Sequence, residues 1–186
     1  VPSDIRYPKD TELLNEGREK QEKINDINHA GSSERKKKPR TYRKTARKKY
    51  LIFAKNRNPS QRAIRNAIKA QIGYVRRNFK TIDQMLEKES GLIELLSEKQ
   101  KRELETIRLV YQQQEEMYRE KKRHVENRIV SISQPYIRPI VRGKAKNKTE
   151  FGAKISISVI DGYSYLDRVQ FDSYNESEDL WTQIEA

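Results

Sequence analysis

With 186 residues, the chain has room for one ordinary domain or two small ones, and its net charge is +13. Hydrophobic residues make up 34% and charged residues 36%, which excludes a large compact core and favours thin, helical, partly exposed architecture. The lack of cysteine excludes disulfides and thiolate metal sites, and there is neither a signal peptide nor an apolar run of membrane-spanning length. We therefore expect a cytoplasmic protein with no membrane partner, and the start at Val1 indicates a piece of a longer protein.

The first predicted elements are an extended segment and a helix. Two prolines disfavour helix over residues 1–9. Asp10 or Thr11 suits the cap of a helix that runs to about residue 29. The thin apolar stripe of this helix consists of Leu13, Leu14, Ile24 and Ile27.

A strongly basic stretch follows. From Arg35 to Lys80 there are 18 Lys and Arg and no Asp or Glu, whereas the other residues sum to 22 basic and 27 acidic. Solvated helices normally mix both signs, so this segregation predicts binding to the phosphates of a nucleic acid. The residues predicted to bind DNA are Arg40, Arg43, Lys44, Arg47, Lys48, Lys49, Arg62, Arg65, Arg76 and Arg77.

The same stretch predicts further helices. Helix resumes near Thr41 and is broken at residues 58–60, before the next helix begins. The aromatic residues Tyr42, Tyr50 and Phe53 follow the helical repeat, so we expect them to pack inside the helical region rather than to stack on bases.

Two long apolar stripes come next. Apolar residues recur by threes and fours over 64–86, after a Ser60 cap, and again over 104–129. Between the stripes lie a turn and a capping box formed by Ser97 and Gln100. The pattern predicts a long antiparallel helical hairpin that resembles a two-stranded coiled coil.

The hydrophobic period changes near residue 128. Residues 128–135 alternate, a Pro-interrupted basic loop follows, and residues 151–160 and 163–172 are predicted strands. The sequence Asp161-Gly162 between them is a hairpin turn signal. We expect Ile155, Ile157 and Val159 to share one face, Val169 and Phe171 to point inward, and residues 176–186 to form a final helix.

Paired carboxylates that hold two divalent metals are the usual sign of phosphoryl transfer on nucleic acids. No local spacing singles out such a pair, because each Asp has a simpler role in a turn, a cap or a strand end. The aspartates considered were Asp4, Asp10, Asp161, Asp167, Asp172 and Asp179.

Three stretches carry a family resemblance. VPSDIRYPKDTELLNEGREK, RIVSISQPYIRPIVRGK and FGAKISISVIDGYSYLDRVQFDSYNESEDL together resemble insertion-sequence transposases of the DDE class, in the group related to insertion sequence five. The resemblance implies a ribonuclease-H-like domain that cuts and joins DNA ends with Mg²⁺ or Mn²⁺. It also implies self-association in a transposition complex and a bacterial cytoplasmic setting.

The resemblance places the catalytic residues elsewhere. The first catalytic Asp would precede Val1, and the second Asp and a Glu would follow Ala186. No catalytic residue, metal ligand or metal cofactor is therefore expected in these 186 residues, and the fragment is expected to be inactive as a nuclease alone. Residues 1–9 would follow the first catalytic strand, 10–128 would be a basic helical insertion, and 129–186 would be a ribonuclease-H-like β-β-α portion.

The fold class that follows is α/β: a partial ribonuclease-H-like sheet, formed by a β-hairpin plus a helix, with a large basic all-α insertion. The expected function is that of a transposase fragment which binds transposon-end DNA. The alternative is a non-enzymatic basic coiled-coil protein that binds RNA or DNA.

Overall fold

The computed structural model describes residues 8–33, 37–141 and 149–171. It has mixed helix and strand content and divides into two compact units. Residues 8–128 belong to one, the helical unit, and the described residues from Ile129 onward belong to the other, the strand unit. The division falls where the hydrophobic period of the sequence changes.

The helical unit is built around a long helix and its two neighbours. The elements are α1 (Asp10–Gly31), α2 (Arg43–Lys55), α3 (Gln61–Lys88), the 3₁₀ helix (Ser90–Leu95) and α4 (Glu98–Glu120). The short 3₁₀ helix joins α3 to α4, and a loop that contains Pro59 joins α2 to α3.

Helices α3 and α4 run antiparallel, and α1 packs along both. The Asp83 carboxylate accepts a hydrogen bond from Arg108 at 2.7 Å, which joins the second half of α3 to the middle of α4. Helix α1 runs parallel to α3, and the Ser32 hydroxyl after its end donates to Glu89 at 2.9 Å. The arrangement is thus a three-helix bundle rather than the predicted two-stranded coiled coil, because α1 contributes a third packed face.

Most helix ends follow the local signals in the sequence. The Ser60 hydroxyl accepts a hydrogen bond from the Ala63 N–H at 3.2 Å, and Ser97 forms the predicted capping box with Gln100. Helix α4, however, ends at Glu120, because Lys121 adopts a left-handed conformation with φ of 57°. The expectation that this helix continues to residue 129 was wrong.

The start of α1 also differs from the prediction. Lys9 occupies the position before the helix, and no side chain caps it. Asp10 instead accepts a hydrogen bond from Gln114 of α4 at 2.8 Å and another from Arg128. The Asp10 carboxylate therefore joins the start of α1 to α4 and to Arg128, the last residue of the helical unit.

The apolar core of the helical unit comes mainly from the three long helices. Ile82 of α3 and Ile107 of α4 are almost fully buried, and Leu14 and Ile24 are their counterparts on α1. Burial of each such side chain contributes about 1.5–3 kcal/mol.

Helix α1 also buries a stripe of polar side chains. Arg18, Gln21, Asn25 and Asn28 recur by threes and fours and are each at most 2% exposed. The Arg18 guanidinium donates to Glu22 at 2.5 Å and to Asn15 at 2.7 Å, while its buried Nε has no hydrogen-bond partner among the described residues. This polar stripe lies inside the bundle, where the sequence indicated only a thin apolar one.

The strand unit contains two antiparallel strand pairs within its described residues. Strand β1 (Pro139–Val141) pairs with β2 (Thr149–Phe151), and β3 (Lys154–Ile160) pairs with β4 (Tyr163–Gln170). The segment predicted to be a basic loop thus contains β1, whereas the alternating residues 128–135 form no strand.

The turn between β3 and β4 is the one that the sequence predicted. Asp161 and Gly162 both have positive φ, at 51° and 84°, as a type I′ hairpin turn requires. Gly162 tolerates this backbone at little cost, and Asp is one of the few other residues that adopts it readily. The hairpin prediction is confirmed.

The apolar face of that hairpin is not buried as we expected. Ile157 is 52% exposed, Val159 68% and Val169 53%. Of the residues predicted to point inward, only Phe171 is half-buried, and the centre of its ring lies 4.7 Å from that of Tyr136 in an edge contact. A two-stranded sheet cannot cover its own face, and no other described residue does so. The final helix predicted over 176–186 lies outside the described residues.

Candidate nucleic-acid interface

Charge is divided between the helices of the helical unit. Helix α2 carries six basic residues and no acidic one, and α3 carries seven basic and two acidic residues. Helix α1 has three basic and six acidic residues, and α4 has five basic and six acidic residues. One pair of helices is therefore strongly positive and the other mildly negative, which creates a directional field for a polyanion.

The outer face of α2 carries several exposed cations, although Leu51 and Ile52 are exposed between Lys48 and Lys55. Ala46 is the buried residue that anchors the helix, and the opposite face is exposed. From Lys44 to Lys55 that face spans about 16 Å at 1.5 Å per residue. One strand of duplex DNA carries about five phosphates over this distance. The basic residues of this outer face are Lys44, Arg47, Lys48 and Lys55.

The ten predicted contact residues have three different environments. Arg43 and Arg76 are ion-paired, and three more arginines lie over aromatic rings. The remaining five make no ion pair with any residue that the structure describes, and they are Lys44, Arg47, Lys48, Lys49 and Arg62.

Arg43 is held by an acid of α1. Its guanidinium donates to the Asp26 carboxylate at 2.7 Å, and Lys38 pairs with the same oxygen at 2.8 Å. Burial alone would raise the pKa of Asp26, but the hydrogen bonds from Arg43 and Lys38 outweigh it and lower that pKa. Asp26 therefore fixes the start of the basic segment to α1.

Replacing Asp26 by Asn should weaken the fold and strengthen DNA binding. Because the folded-state pKa of Asp26 is lowered, its stabilisation is present above about pH 4 and is lost as the pH falls through that pKa. For these partly exposed groups we expect a loss of about 1 kcal/mol or less at pH 7 that becomes smaller as the pH falls below about 4, measured by urea unfolding. The release of Arg43 and Lys38 should raise DNA affinity about fivefold at ~0.1 M salt.

Asp83→Asn is the matched control for this change. It removes the same charge and breaks a pair with Arg108 of the same 2.7 Å length, away from α2. A similar gain in DNA affinity in both variants would show that net charge, rather than the release of Arg43, is responsible.

Arg76 is also held by other residues, at the surface between α3 and α4. Its guanidinium donates to the Tyr111 hydroxyl at 2.9 Å and to Glu115 of α4. The hydrogen bond with Tyr111 is the main cause that raises the pKa of Arg76 above its ordinary value. Arg76 therefore joins α3 to α4 and is less available to a phosphate than Arg47 of α2, which has no ion-pair partner among the described residues.

Two arginine side chains lie over the ring of Tyr42. The guanidinium carbons of Arg40 and Arg77 lie 4.8 Å and 4.4 Å from the centre of its ring, within the range of cation–π attraction. Tyr42 is 39% exposed and adopts a left-handed conformation just before α2. The expectation that it packs inside the helical region was wrong, because it lies on the surface under these arginines. Arg65 lies similarly over Tyr118, at 4.2 Å.

A basic groove lies between α2 and α3. Its cavity volume is about 430 Å³. Lys49 of α2 and Lys69 and Arg77 of α3 supply three cations, while Gly73 leaves open space between them. Its lining residues are Lys49, Asn66, Lys69, Ala70, Gly73, Tyr74 and Arg77.

Sequence reasoning missed part of this groove. Lys69, Gly73 and Arg77 recur at intervals of four on one face of α3, and this spacing was the available signal. The spacing alone does not indicate a groove, because the groove also needs Lys49 of α2. No local pattern predicts that α2 brings Lys49 close to α3.

The aspartates take structural positions in the described parts of the chain. Asp10 joins α1 to α4, Asp161 forms the hairpin turn, and Asp167 accepts a hydrogen bond from Ser158 at 3.0 Å. Asp4, Asp172 and Asp179 lie outside those parts. No group of three or more His, Asp or Glu among residues 8–33, 37–141 and 149–171 is arranged to hold a metal ion.

No family model, curated protein or solved structure matches the chain. None of the helices in the described ranges combines the length and the apolar character that a membrane crossing needs.

Proposed function

We propose that the helical unit binds the backbone of DNA, as part of a transposase of the DDE class. The observation that carries this proposal is the outer face of α2, where cations with no acidic partner among the described residues extend over about 16 Å. An intramolecular role would require acidic partners for these charges, and the described ion pair that joins α2 to α1 is made by Arg43 instead.

The contacts on this surface are suited to phosphates rather than to bases. Lysine and arginine side chains on an exposed helix neutralise phosphates and release condensed counterions, which produces affinity without sequence information. The helical unit would therefore hold DNA in place, whereas the choice of transposon end would depend on other contacts.

The transposase assignment rests on the sequence resemblance together with the strand unit. The hairpin β3–β4 occupies the region that the resemblance assigns to the second and third strands of a ribonuclease-H-like sheet. The resemblance assigns the metal-binding carboxylates, and with them Mg²⁺ or Mn²⁺, to sequence outside residues 1–186. In this proposal the helical unit is an insertion that positions DNA, and self-association would bring two transposon ends together.

The salt dependence of DNA binding tests the proposal. If the five predicted cations without an acidic partner each contact a phosphate, the logarithm of affinity should fall with a slope of about −4.5 against the logarithm of salt concentration. Affinity for a 30-base-pair duplex should then drop about 500-fold between ~50 and ~200 mM NaCl. A flat response in fluorescence anisotropy would exclude phosphate contacts.

Two further arms separate the alternatives. Binding of duplex RNA but not of duplex DNA would favour the non-enzymatic RNA-binding interpretation, because A-form and B-form backbones differ in groove geometry. DNA cleavage by this chain with Mg²⁺ would contradict the assignment of the catalytic carboxylates to other sequence.

A further inference from the structure

Gly73 is an unusual residue for its position. It lies in the middle of the 28-residue helix α3, where glycine is unfavourable because it loses more backbone freedom than alanine on folding. Glycine is usually required where φ is positive or where a neighbouring atom would clash with a Cβ. Neither reason applies, since Gly73 is helical and a Cβ at this position would meet no atom within 4 Å.

The space that Gly73 leaves open belongs to the basic groove between α2 and α3. Lys49 approaches it from α2, and Lys69 and Arg77 lie one helical turn before and after Gly73 on α3. The side chains of Lys49, Asn66 and Lys69 have no hydrogen-bond or ion-pair partner among the described residues. Three cations and an amide thus surround an open surface of bare backbone.

From this geometry we infer that the groove binds a phosphodiester of the DNA backbone against Gly73. Three positive charges select an anion, and the Asn66 amide adds a donor for a phosphate oxygen. The missing side chain allows the phosphate to approach the helix more closely than at any position that carries a Cβ.

The groove also fits a continuous strand better than a small ion. Its volume of about 430 Å³ exceeds what a single phosphate needs, and it is widely open to solvent. The Tyr42 ring, which lies under Arg40 and Arg77, positions Arg77 beside the groove. Lys48 and Lys49 lie about 100° apart around α2, so the groove and the outer face border each other on this helix.

This inference rests on the proposed DNA binding and adds a position to it. Gly73→Gln places a neutral side chain in the groove, and Gly73→Ala fills only the Cβ position. Gly91→Gln is the matched control, because Gly91 also has no atom within 4 Å of a Cβ and lies in the 3₁₀ helix, outside the groove.

We expect Gly73→Gln to lower affinity for a 30-base-pair duplex at least tenfold at ~0.1 M NaCl. Gly73→Ala should lower it less and should raise the melting temperature, because alanine is the better helix former. Gly91→Gln should bind like the unsubstituted chain. Circular dichroism of each variant establishes that the helices are retained, and if Gly73→Gln fails to fold, Gly73→Ala decides the question.

Unchanged DNA affinity in a folded Gly73→Gln variant would overturn the inference. If a triple variant of Lys44, Arg47 and Lys48 weakened binding in the same assay, the proposed function would stand and the groove alone would be rejected. If the unsubstituted chain did not bind DNA at all, both the groove and the proposed function would be rejected. Titration with inorganic phosphate separates a backbone site from a free-phosphate site: a phosphate-induced shift of the Gly73 amide resonance, without any effect of Gly73→Gln on DNA, would contradict a backbone site.

Discussion

Replacing Lys44, Arg47 and Lys48 together by Glu is expected to lower DNA affinity about 500-fold at ~0.1 M salt. At this salt concentration, release of counterions by one phosphate contact is worth about eightfold, and three contacts multiply. The salt slope should decrease in magnitude by about 2.7. Because the three residues lie on the outer face of α2 without acidic partners in the described part of the chain, the melting temperature should hardly change.

The control for this variant keeps the change in net charge and moves it to other helices. Lys23 of α1 and Lys99 and Arg102 of α4 are exposed. Reversing these three to Glu should reduce affinity only through the weaker long-range field, by a few-fold. Equal losses in the two triple variants would show that net charge attracts DNA and that α2 does not contact it. Fluorescence anisotropy over a series of NaCl concentrations measures both the affinity and the slope.

The sequence predicted the location of these cations but not their partners. A run of 46 residues without an acid is visible directly, and it matches the positive helices α2 and α3. Asp26 and Glu115 lie 17 and 39 residues away from the arginines that they hold. Such pairs depend on how helices pack, so periodicity cannot distinguish Arg43, which is held, from Arg47, which is not.

The helices were predictable because their signals are local. Apolar spacing and the Ser60 and Ser97 caps act within one turn of the chain. The bundle arrangement was not predictable from apolar spacing, because α1 contributes mostly polar side chains to the interior. Gln21, Asn25 and Asn28 are fully or nearly fully buried, and a hydrophobic pattern assigns such residues to the surface.

The β3–β4 hairpin was likewise predictable in its local features but not in its packing. Alternation and Asp161-Gly162 predict two strands and their turn, since both depend on neighbouring residues. Burial of one face depends on what packs against it. Ile157 and Val169 therefore satisfy the pattern of a half-buried strand and remain more than half exposed within the described structure.

The largest stability effect is expected at Arg18 of α1. Arg18 is 1% exposed and donates to Glu22 at 2.5 Å and to Asn15 at 2.7 Å. Burial raises the pKa of Glu22, and the hydrogen bond from Arg18 partly offsets that rise. Arg18→Met keeps much of the buried volume but leaves the Glu22 carboxylate inside the bundle without this partner. Removing one member of a buried pair costs about 3–5 kcal/mol, so we expect a loss of that size at pH 7.

The pH dependence distinguishes this charge effect from a packing defect. In Arg18→Met the folded-state pKa of Glu22 should rise further, and a carboxyl group with a raised pKa is destabilising only where it is ionised. The loss relative to the unsubstituted chain should therefore be largest at pH 7 and shrink as the pH falls towards the ordinary pKa of a glutamate side chain. Arg18→Met/Glu22→Gln removes the buried charge and should recover most of the stability at pH 7, measured by urea unfolding. A loss that is equal at both pH values and is not rescued by Glu22→Gln would mean that Arg18 acts by filling space, and that the polar stripe of α1 gains nothing from the ion pair.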